Sequence, residues 1–475
     1  MAERLTNPPK HQKEKIDPMV LKISIIMVIG ALAPLLDSTM INVAIKTIAG
    51  DMKSTVAIIQ WVITGYVLAM AIAIPISGWA INRFGGKRVY VFSLLIFLAG
   101  SVLSSLSWNI DSLIAFRLLQ GFGAGLMIPT LQTVIIQASG GKDLGRIMSI
   151  VSMPALLGPI LGPVLGGIII NSLSWRWIFY VNIPICMIAL FIAWRGLPTD
   201  EPSNSKQRLD IIGILLLSPA FALIIYGVSK ISSHGGLSSS EVFVPMVIGF
   251  LMMVAFVVYS LRRKISPVLD LRLFKSRNFS VSIILLFVSG IATNGAMLIL
   301  PLYYQQVRGQ TALLAGLWLI PQGIGMLLTR NWLGKLTDRI GSRIIVIVSL
   351  LVTTIGTLPF AFASSDTNQI LLAAAQIIRG AGLSGLLIPI MASAYVGLSR
   401  DQIPDASIAT RIFQTIGGAF GSAILATILA NQLLIRNVST TVTVSNAYNV
   451  AFWWSIAFTV IAIIPALLLP KRKNA

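Results

Sequence analysis

The sequence predicts an all-α polytopic membrane protein with 14 transmembrane helices. The mean hydropathy is +0.86 and only 11% of the 475 residues are charged, against roughly 25% in soluble domains. The apolar segments have the length of a spanning helix, about 20 residues, and lack the alternating pattern of barrel strands. The predicted spans are residues 20–45, 57–81, 89–108, 111–137, 145–170, 176–195, 210–230, 242–261, 279–305, 312–333, 344–363, 369–395, 404–430 and 449–469.

The positions of the basic residues predict the orientation of the chain. A net charge of +20 would suggest nucleic-acid binding in a soluble protein, but here the topology explains it, and we expect no nucleic-acid partner. Of the 36 basic residues, six lie on loops assigned to the outside and three, Arg117, Arg379 and Arg411, lie within spans. The other 27 fall on the opposite side. We therefore expect the cytoplasmic (inner or plasma) membrane, with both termini in the cytoplasm.

The reactive side chains argue against catalysis. Cys186 is the single cysteine, which excludes a disulfide or a cysteine metal site within one chain. His11 and His234 are the only histidines, and both lie in polar segments. The sequence has no nucleotide-binding Gly-Lys-Ser/Thr loop and no nucleophile–base pair. We expect no enzyme activity, no metal and no cofactor, and a proton gradient as the energy source.

An internal repeat divides the chain into two six-helix units. The loop from Gly78 to Arg88 recurs in the same register 256 residues later, from Gly334, and Arg117 recurs 262 residues later as Arg379. Such duplications are typical of transporters. Spans seven and eight lie between the copies, and we expect packing or lipid-facing helices there. The predicted segments are a cytoplasmic tail (1–19), a first bundle (20–196), a cytoplasmic linker (197–209), two inserted helices (210–262), a basic cytoplasmic linker (263–278), a second bundle (279–470) and a cytoplasmic tail (471–475).

Five motifs resemble those of the major facilitator superfamily. The loop from Gly78 to Arg88 resembles its cytoplasmic-loop motif, the segment from Arg117 to Gly125 its fourth-helix arginine motif, and the segment from Gly158 to Gly167 its fifth-helix antiporter motif. Segments 36–44 and 175–184 resemble signatures of its fourteen-span drug:proton antiporter branch. The resemblance covers nearly the whole chain. It implies the major facilitator fold, two six-helix bundles plus two inserted helices, and multidrug efflux of the kind that gives antibiotic resistance.

The motif residues predict conformational roles. Gly158, Gly162 and Gly166 recur every four residues, so they share a helix face that a neighbouring backbone can approach. Prolines on the same helix make bending easier. The resemblance implies that this helix seals the two halves and bends during the switch; ordinary small-residue packing is the alternative. The residues assigned to these motifs are Gly78, Asn82, Arg83, Gly85, Lys87, Gly158, Pro159, Gly162, Pro163, Gly166, Gly167, Gly334, Asp338, Arg339, Gly341 and Arg343.

The two loop motifs differ at one position. The first copy has Asn82, where the family usually has an aspartate, and the second copy has Asp338. A carboxylate can cap a helix or accept a hydrogen bond from an arginine, whereas asparagine keeps the hydrogen bonding without the charge. We therefore expect the contact made by the first loop to be weaker than that made by the second.

Asp37 is the only one of the 16 acidic residues that is predicted to lie inside an apolar span. A carboxylate at that depth must protonate, find a cation or face water. At about 1.5 Å per residue, Asp37 and Arg117 reach similar heights in a core about 30 Å thick, so they can pair. Separating such a pair would switch Asp37 between releasing and taking up a proton. A static ion pair between the first and fourth helices is the alternative.

A set of aromatic, methionine and amide side chains is predicted to line a central cavity. Such side chains suit an adaptable pocket for amphipathic ligands, although each is more often a packing residue. Three arginines within the spans, against one carboxylate, disfavour cationic substrates. The candidate substrate-binding residues are Gln60, Trp61, Tyr66, Gln120, Met127, Asn294, Tyr303, Gln306, Trp318, Gln322, Gln376 and Gln414.

The sequence therefore predicts a proton-coupled antiporter that exports amphipathic organic compounds, such as drugs or toxins, by alternating access. Within transport, the alternative is an exporter of an endogenous metabolite or lipid-like anion, and sodium is an alternative coupling ion. A non-transporting membrane receptor or scaffold is the alternative from another class. The expected partners are membrane lipid, the small-molecule substrate and the proton, and we expect a monomer.

Overall fold

The structure, a computed structural model, describes residues 17–54, 56–151, 153–199, 209–231, 239–262, 269–435 and 441–469. The predicted tail 471–475, most of the tail 1–19, most of the linker 197–209 and residues 263–268 of the linker 263–278 lie outside these ranges. The first bundle contains α1 (Pro18–Asp51), α2 (Val56–Phe84), α3 (Gly86–Ser105), α4 (Ile110–Ala138), α5 (Leu144–Val151), α6 (Met153–Ser172), α7 (Trp177–Tyr180) and α8 (Asn182–Gly196).

Two inserted helices and a second bundle follow. The inserted helices are α9 (Ile211–Lys230) and α10 (Ser240–Arg262). The second bundle contains α11 (Arg277–Gln306), α12 (Ala312–Leu317), α13 (Ile320–Ile340), α14 (Ser342–Thr357), α15 (Gln369–Ala394), α16 (Ile403–Ile435), α17 (Thr441–Ile461) and α18 (Ile463–Ala466). Short 3-10 helices cover Leu271–Lys275 and Leu358–Phe362.

The predicted all-helical membrane fold is confirmed. Within the described residues, 13 helical segments are long and apolar enough to cross a membrane. The predicted fifth span is present as α5 and α6, on either side of residue 152. Some helices run beyond their predicted spans, as α13 does by ending at Ile340, because a helix can continue past its apolar stretch into polar surroundings.

The two bundles repeat the same helix pairings. In the first, α1 packs on α6, and α2 and α3 pack on α4; in the second, α11 packs on α16, and α13 and α14 pack on α15. Matching glycines allow this close approach. A Cβ on Gly121 would collide with the Tyr66 carbonyl oxygen, and a Cβ on Gly380 with that of Gln322. The sequence repeat is thus also a repeat of packing geometry.

The inserted helix α9 lies across the seam between α2 and α16. Ser218 Oγ donates a hydrogen bond of 2.9 Å to the Ile72 carbonyl oxygen on α2, and the ring of Tyr226 stacks on Trp61, with centroids 5.8 Å apart. Apolar side chains of α9 pack on α16. The other inserted helix, α10, packs on α9 and exposes most of its apolar surface. Helix α9 thus packs on both bundles, while contact of α10 with lipid stays a prediction.

The bundles touch at the end where the chain turns at Gly85 and Gly341, called here the Gly85 end. Both glycines have positive φ, 86° and 88°, a region that side chains disfavour. Here Asp338 of the second bundle accepts hydrogen bonds from the backbone N–H groups of Gly145, at 2.8 Å, and Arg146, at 3.2 Å. Gln137 donates to the Arg400 carbonyl oxygen at 3.1 Å. The cores of both bundles meet at this end.

Candidate functional site: a buried carboxylate and its donors

Asp37 lies on α1 within a cluster of polar side chains that has no solvent exposure. Arg117 Nη1 donates to Asp37 Oδ2, while Gln120 Nε2 donates to Oδ1 at 3.1 Å and Asn182 Nδ2 donates to Oδ1 at 2.9 Å. Arg117 and Gln120 are three residues apart and therefore share a face of α4. Asn182 is the first residue of α8. Helices α4 and α8 thus supply three donors to one carboxylate.

Further contacts hold Arg117 in place. Its Nη1 also donates to Gln120 Oε1 at 2.6 Å, and its Nε donates to the Val62 carbonyl oxygen at 3.3 Å. The guanidinium carbon lies 4.2 Å from the ring centre of Tyr66 and 5.6 Å from that of Phe179, within cation–π range. Within the described part of the chain, Arg117 Nη2 has no hydrogen-bond partner.

The burial of this pair decides its energetics. Moving an ion out of water costs several kcal/mol, and only good geometry with additional hydrogen bonds offsets that cost. Here both side chains are 0% exposed, and the carboxylate has three donors. Removing one ion from such a pair costs about 3–5 kcal/mol, because the other charge stays buried. A proton on Asp37 would remove the charge that holds Arg117.

The ion pair expected from the depths of Asp37 and Arg117 is present; its role in proton coupling stays a prediction. Gln120, predicted from the sequence to bind substrate, contacts Asp37 and Arg117 in this conformation, and its pocket role stays a prediction. Asn182 was not among the candidate residues, although it lies in the 175–184 motif. A polar side chain inside the predicted apolar span 176–195 was the signal that could have identified it.

The other first-bundle candidates for substrate binding lie in different surroundings. Trp61 is 41% exposed and packs on the inserted helix α9. Tyr66 lies against Arg117, and its hydroxyl donates to the Pro34 carbonyl oxygen at 3.3 Å. Met127 is fully buried in the core of the first bundle. The side chain of Gln60 lies outside the described residues. The pocket role of all four stays a prediction.

Three second-bundle candidates take part in aromatic packing. Tyr303 is fully buried between Phe360, Tyr448 and Phe452, and its hydroxyl donates to the Ser364 carbonyl oxygen at 2.8 Å. Gln306 Oε1 accepts a hydrogen bond from Tyr448 at 2.9 Å. The ring of Trp318 stacks on Tyr304, with centroids 6.4 Å apart. Their contacts are with other protein groups in this conformation.

Arg379 is the second-bundle counterpart of Arg117, but it has no counterpart of Asp37 beside it among the described residues. Its Nη1 donates to Gln322 Oε1, and among the described residues no carboxylate forms an ion pair with it. Nearby on α15, Gln376 Nε2 donates to the Tyr304 hydroxyl at 2.9 Å. Asn294 donates to the Gly290 carbonyl oxygen at 3.3 Å and lies against Gly418 of α16. The second bundle therefore has a buried cation whose side-chain partner, Gln322, is neutral.

The count of basic residues from the sequence needs one correction. Arg330 was assigned to the cytoplasmic side, but its side chain is buried on α13. In the described part of the chain it forms no ion pair, and its Nη1 has no hydrogen-bond partner. Arg411 donates to Gln414 Oε1 at 3.4 Å. The interior is thus more positive than the sequence count suggested.

The glycine face of α6 packs against α1 on both sides of Asp37. A Cβ on Gly158 would lie 2.9 Å from the Leu35 carbonyl oxygen, and one on Gly166 would lie 3.0 Å from that of Met40. Thr39 Oγ1 also donates to the Gly158 carbonyl oxygen at 2.9 Å. The predicted approach of a neighbouring backbone is confirmed. The side chains of Pro159 and Pro163 lie outside the described residues, and bending at this helix stays a prediction.

Alanine at Gly162 is expected to slow transport and to destabilise the protein by about 1–3 kcal/mol, as overpacking does. Its Cβ would lie 2.7 Å from Thr39 Cβ, so α1 and α6 must separate close to Asp37. Thermal unfolding in detergent and efflux from vesicles measure the two effects. Alanine at Gly167, on the same helix, would meet Leu313 at an ordinary 3.5 Å and should behave like wild type. Equal effects of the two changes would contradict this account.

The loop-motif glycines lie at matching contacts between the bundles. A Cβ on Gly78 of α2 would lie 2.5 Å from Ile408 Cδ1 of α16, and a Cβ on Gly334 of α13 would lie 2.9 Å from the Gly145 carbonyl oxygen of α5. The basic residues of the motif lie at the same end. Lys87 Nζ donates to the Leu197 carbonyl oxygen at the end of α8, at 2.6 Å, where a cation complements the helix dipole. Arg83 lies over the rings of Trp79 and Phe84, while Arg339 and Arg343 flank the turn at Gly341.

Asp338 and Asn82 differ in their contacts as well as in charge. The Asp338 carboxylate accepts from two N–H groups in the first turn of α5, which have no acceptor within the helix. Asn82 Oδ1 is buried and has no hydrogen-bond partner among the described residues. This geometry supports a stronger contact at the second loop.

Alanine at Asp338 is expected to open the contact between α13 and α5, because two charge-assisted hydrogen bonds are lost. Thr337 is buried beside Gly145, so a cysteine there, in a Cys186→Ser background, should react several-fold faster with a maleimide. Alanine at Asn82 is the matched change in the first loop and should have little effect on that rate. A larger increase in the maleimide rate from alanine at Asn82 than from alanine at Asp338 would show that the first loop makes the stronger contact.

A second polar cluster lies at the opposite end, where α1 ends. Trp175 Nε1 and Arg176 Nη1 donate to Asp51 Oδ2, at 2.8 and 3.2 Å. The hydrogen bond from Trp175 holds the pKa of the Asp51 carboxyl below its ordinary value. Arg176 Nη2 also donates to the Ser107 carbonyl oxygen at 3.3 Å. Trp175 and Arg176, at the start of the 175–184 motif, thus connect their own loop to the end of α1 and to the loop between α3 and α4. Asn182 of the same motif donates to Asp37.

Comparison with known proteins gives the family. The profile of the Major Facilitator Superfamily matches residues 27–422. The chain is 33% identical to the multidrug resistance protein B homolog of Mycobacterium tuberculosis (strain ATCC 25618 / H37Rv), over 99% of this chain and 94% of that protein. It is 30% identical to the multidrug export protein EmrB of Haemophilus influenzae, over 90% of this chain and 84% of that protein.

Solved structures agree on the fold. The human organic anion transporter MFSD10 has a TM-score of 0.63 at 15% identity, covering 96% of this chain and 100% of that chain. The proton:xylose symporter XylE also has a TM-score of 0.63 at 15% identity, covering 97% of this chain and 98% of that chain. The resemblance of the sequence motifs is therefore confirmed, and this chain belongs to the Major Facilitator Superfamily of membrane transporters.

Proposed function

We propose that the protein is a proton-coupled antiporter that exports amphipathic organic compounds across the cytoplasmic membrane by alternating access. The observation that carries this proposal is the Asp37 carboxylate, fully buried in the membrane interior and paired with Arg117. An ionisable residue at such a depth is by default a functional group. The names of two relatives, a multidrug resistance protein and a multidrug export protein, support the substrate class.

The proposed coupling begins at the Asp37–Arg117 pair. Protonation of Asp37 neutralises the carboxylate and weakens its hold on Arg117. Because α6 packs against α1 at Leu35 and Met40, a displacement of α1 would also shift the position of α6. Helix α6 in turn contacts α12 and α13 of the second bundle. The proton would thus bias the relative position of the two bundles, and bound substrate would reset it from the other side.

One observation favours an organic anion as the substrate. The buried guanidinium groups of Arg379 and Arg330 have no ion-pair partner among the described residues, and buried cations are normally paired. An acidic substrate could supply the missing charge. This second candidate, an exporter of a metabolite or lipid-like anion, keeps the same coupling at Asp37.

Reconstituted vesicles test both candidates. Purified protein in proteoliposomes should move substrate against its gradient when a pH gradient is imposed, and collapse of that gradient should stop the movement. Counterflow with cationic dyes, compared with fatty or bile acids, separates the two substrate classes. Transport that is driven by a sodium gradient at constant pH would show that sodium, and not the proton, is the coupling ion. Absence of both transport and substrate-induced proton release for every compound would favour a receptor or scaffold.

A further inference from the structure

A groove of about 640 Å³ opens on the outer face of the first bundle, between the start of α1 and the end of α8. Its walls include the apolar side chains of Leu21 and Ile25 on α1 and of Phe191 on α8, all of which are exposed on the surface of the bundle. At its floor the helices are in close contact, since a Cβ on Gly196 would lie 2.6 Å from Ile26 Cδ1. In a membrane this groove faces the lipid.

Two cations line the groove. Lys22 lies one turn from the start of α1, and Arg195 lies in the last turn of α8. The Arg195 guanidinium carbon lies 4.8 Å from the ring centre of Phe191, so the charge sits against an apolar wall. In the described ranges neither cation forms an ion pair with a carboxylate. The groove therefore joins apolar walls to two positive charges that no described carboxylate pairs with.

The position of these charges matches a lipid headgroup. The hydrogen bond from Lys87 to the Leu197 carbonyl oxygen places the end of α8 at the Gly85 end, which is the predicted cytoplasmic side. The lining residues of α1 run from Pro18 to Ile26, a rise of about 12 Å. That rise is close to the thickness of one leaflet's hydrocarbon layer, about 15 Å. The cations lie at the polar boundary and the apolar walls extend towards the membrane interior.

We infer that this groove binds an anionic phospholipid of the cytoplasmic leaflet, with its phosphate between Lys22 and Arg195 and an acyl chain along α1. Basic pockets between transmembrane helices on the cytoplasmic side bind anionic headgroups. A zwitterionic lipid could fill the apolar walls, but its own cation would oppose those of the groove. The shared requirement is a phosphodiester with net negative charge, attached to a hydrocarbon chain.

A bound lipid would brace the two helices that meet at Asp37. Helix α1 carries Asp37, and α8 begins at Asn182, which donates to that carboxylate. A lipid spanning the far ends of α1 and α8 would restrain their relative motion. This effect on transport rests on the proposed function, whereas binding of the lipid does not.

The test measures the thermal unfolding of the full-length protein in a neutral detergent with added lipid. Phosphatidylglycerol should raise the Tm at lower concentrations than phosphatidylcholine with the same acyl chains. The variant K22Q/R195Q should need at least about ten times more phosphatidylglycerol for the same shift, since two charges are lost. The variant R272Q/K275Q removes the same charge from exposed positions and should respond like wild type.

Three outcomes would overturn the inference. Equal shifts with phosphatidylglycerol and phosphatidylcholine would indicate unselective surrounding lipid. A shift with glycerol phosphate alone would indicate an anion site without a lipid chain. Equal losses in K22Q/R195Q and R272Q/K275Q would indicate a general effect of net charge. Selective lipid binding in a protein that fails to transport would leave this site intact and reject only the proposed antiport.

Discussion

Asparagine at Asp37 is expected to abolish efflux driven by a pH gradient, down to the level of protein-free vesicles, in a protein that still folds but loses about 3–5 kcal/mol of stability, because Arg117 stays buried without its acid. Asparagine has nearly the same shape and can still accept hydrogen bonds from Gln120 and Asn182, but it cannot exchange a proton. Arg117 keeps its contacts with Gln120, the Val62 carbonyl oxygen and the Tyr66 ring. Size-exclusion profiles in detergent and transport in proteoliposomes measure the two parts of the prediction.

The same variant should still exchange labelled for unlabelled substrate when no gradient is imposed. Exchange requires the substrate site and the conformational switch but no net proton movement. Asparagine at Asp51 is the matched control, because Asp51 lies on the same helix, outside the apolar span, in an exposed ion pair with Arg176. That variant should transport at close to the wild-type rate. Normal gradient-driven efflux by the Asp37 variant would remove Asp37 from the coupling mechanism.

Hydropathy and motif spacing predicted the features that depend on the order of residues within one helix: the spans, the depth of charged residues and the faces of glycines. Asp37 and Arg117 were predictable as a pair, since each is a charge inside an apolar span and the helical rise fixes its depth. The close approach of a backbone to Gly158, Gly162 and Gly166 followed from their four-residue spacing. The glycine inference needed no knowledge of which helix is the neighbour of α6. The ion-pair inference needed only the assumption that α1 and α4 lie side by side.

The surroundings that the sequence did not predict depend on how helices face one another. Trp61 and Tyr303 are aromatic side chains within spans, and a sequence pattern does not distinguish a face that lines a cavity from one that packs on a helix. Arg330 lies near the end of the predicted span 312–333 and was counted with the cytoplasmic residues, whereas its side chain is buried on α13. Asn182 reaches Asp37 because the chain turns through the short helix α7 before α8 begins.

Methionine at Arg117 is expected to destabilise the protein by about 3–5 kcal/mol, because it leaves the Asp37 carboxylate buried without its cation. Gln120 and Asn182 would remain as donors, but neither carries a charge. The double variant D37N/R117M should recover most of the loss, since neutral groups that replace both members of a buried ion pair are often tolerated. Unfolding in increasing denaturant, followed for the wild type, both single variants and the double variant, measures the coupling.

An exposed ion pair on the same bundle provides the comparison. The side chains of Arg176 and Asp51 are 34% and 51% exposed, so water screens their attraction and methionine at Arg176 should cost less than about 1 kcal/mol. If the losses in the two Asp37–Arg117 single variants simply add in D37N/R117M, the two residues do not act as a pair. Recovery in the double variant would show that the cost lies in the unpaired charge, which is the property that a proton arriving at Asp37 would exploit.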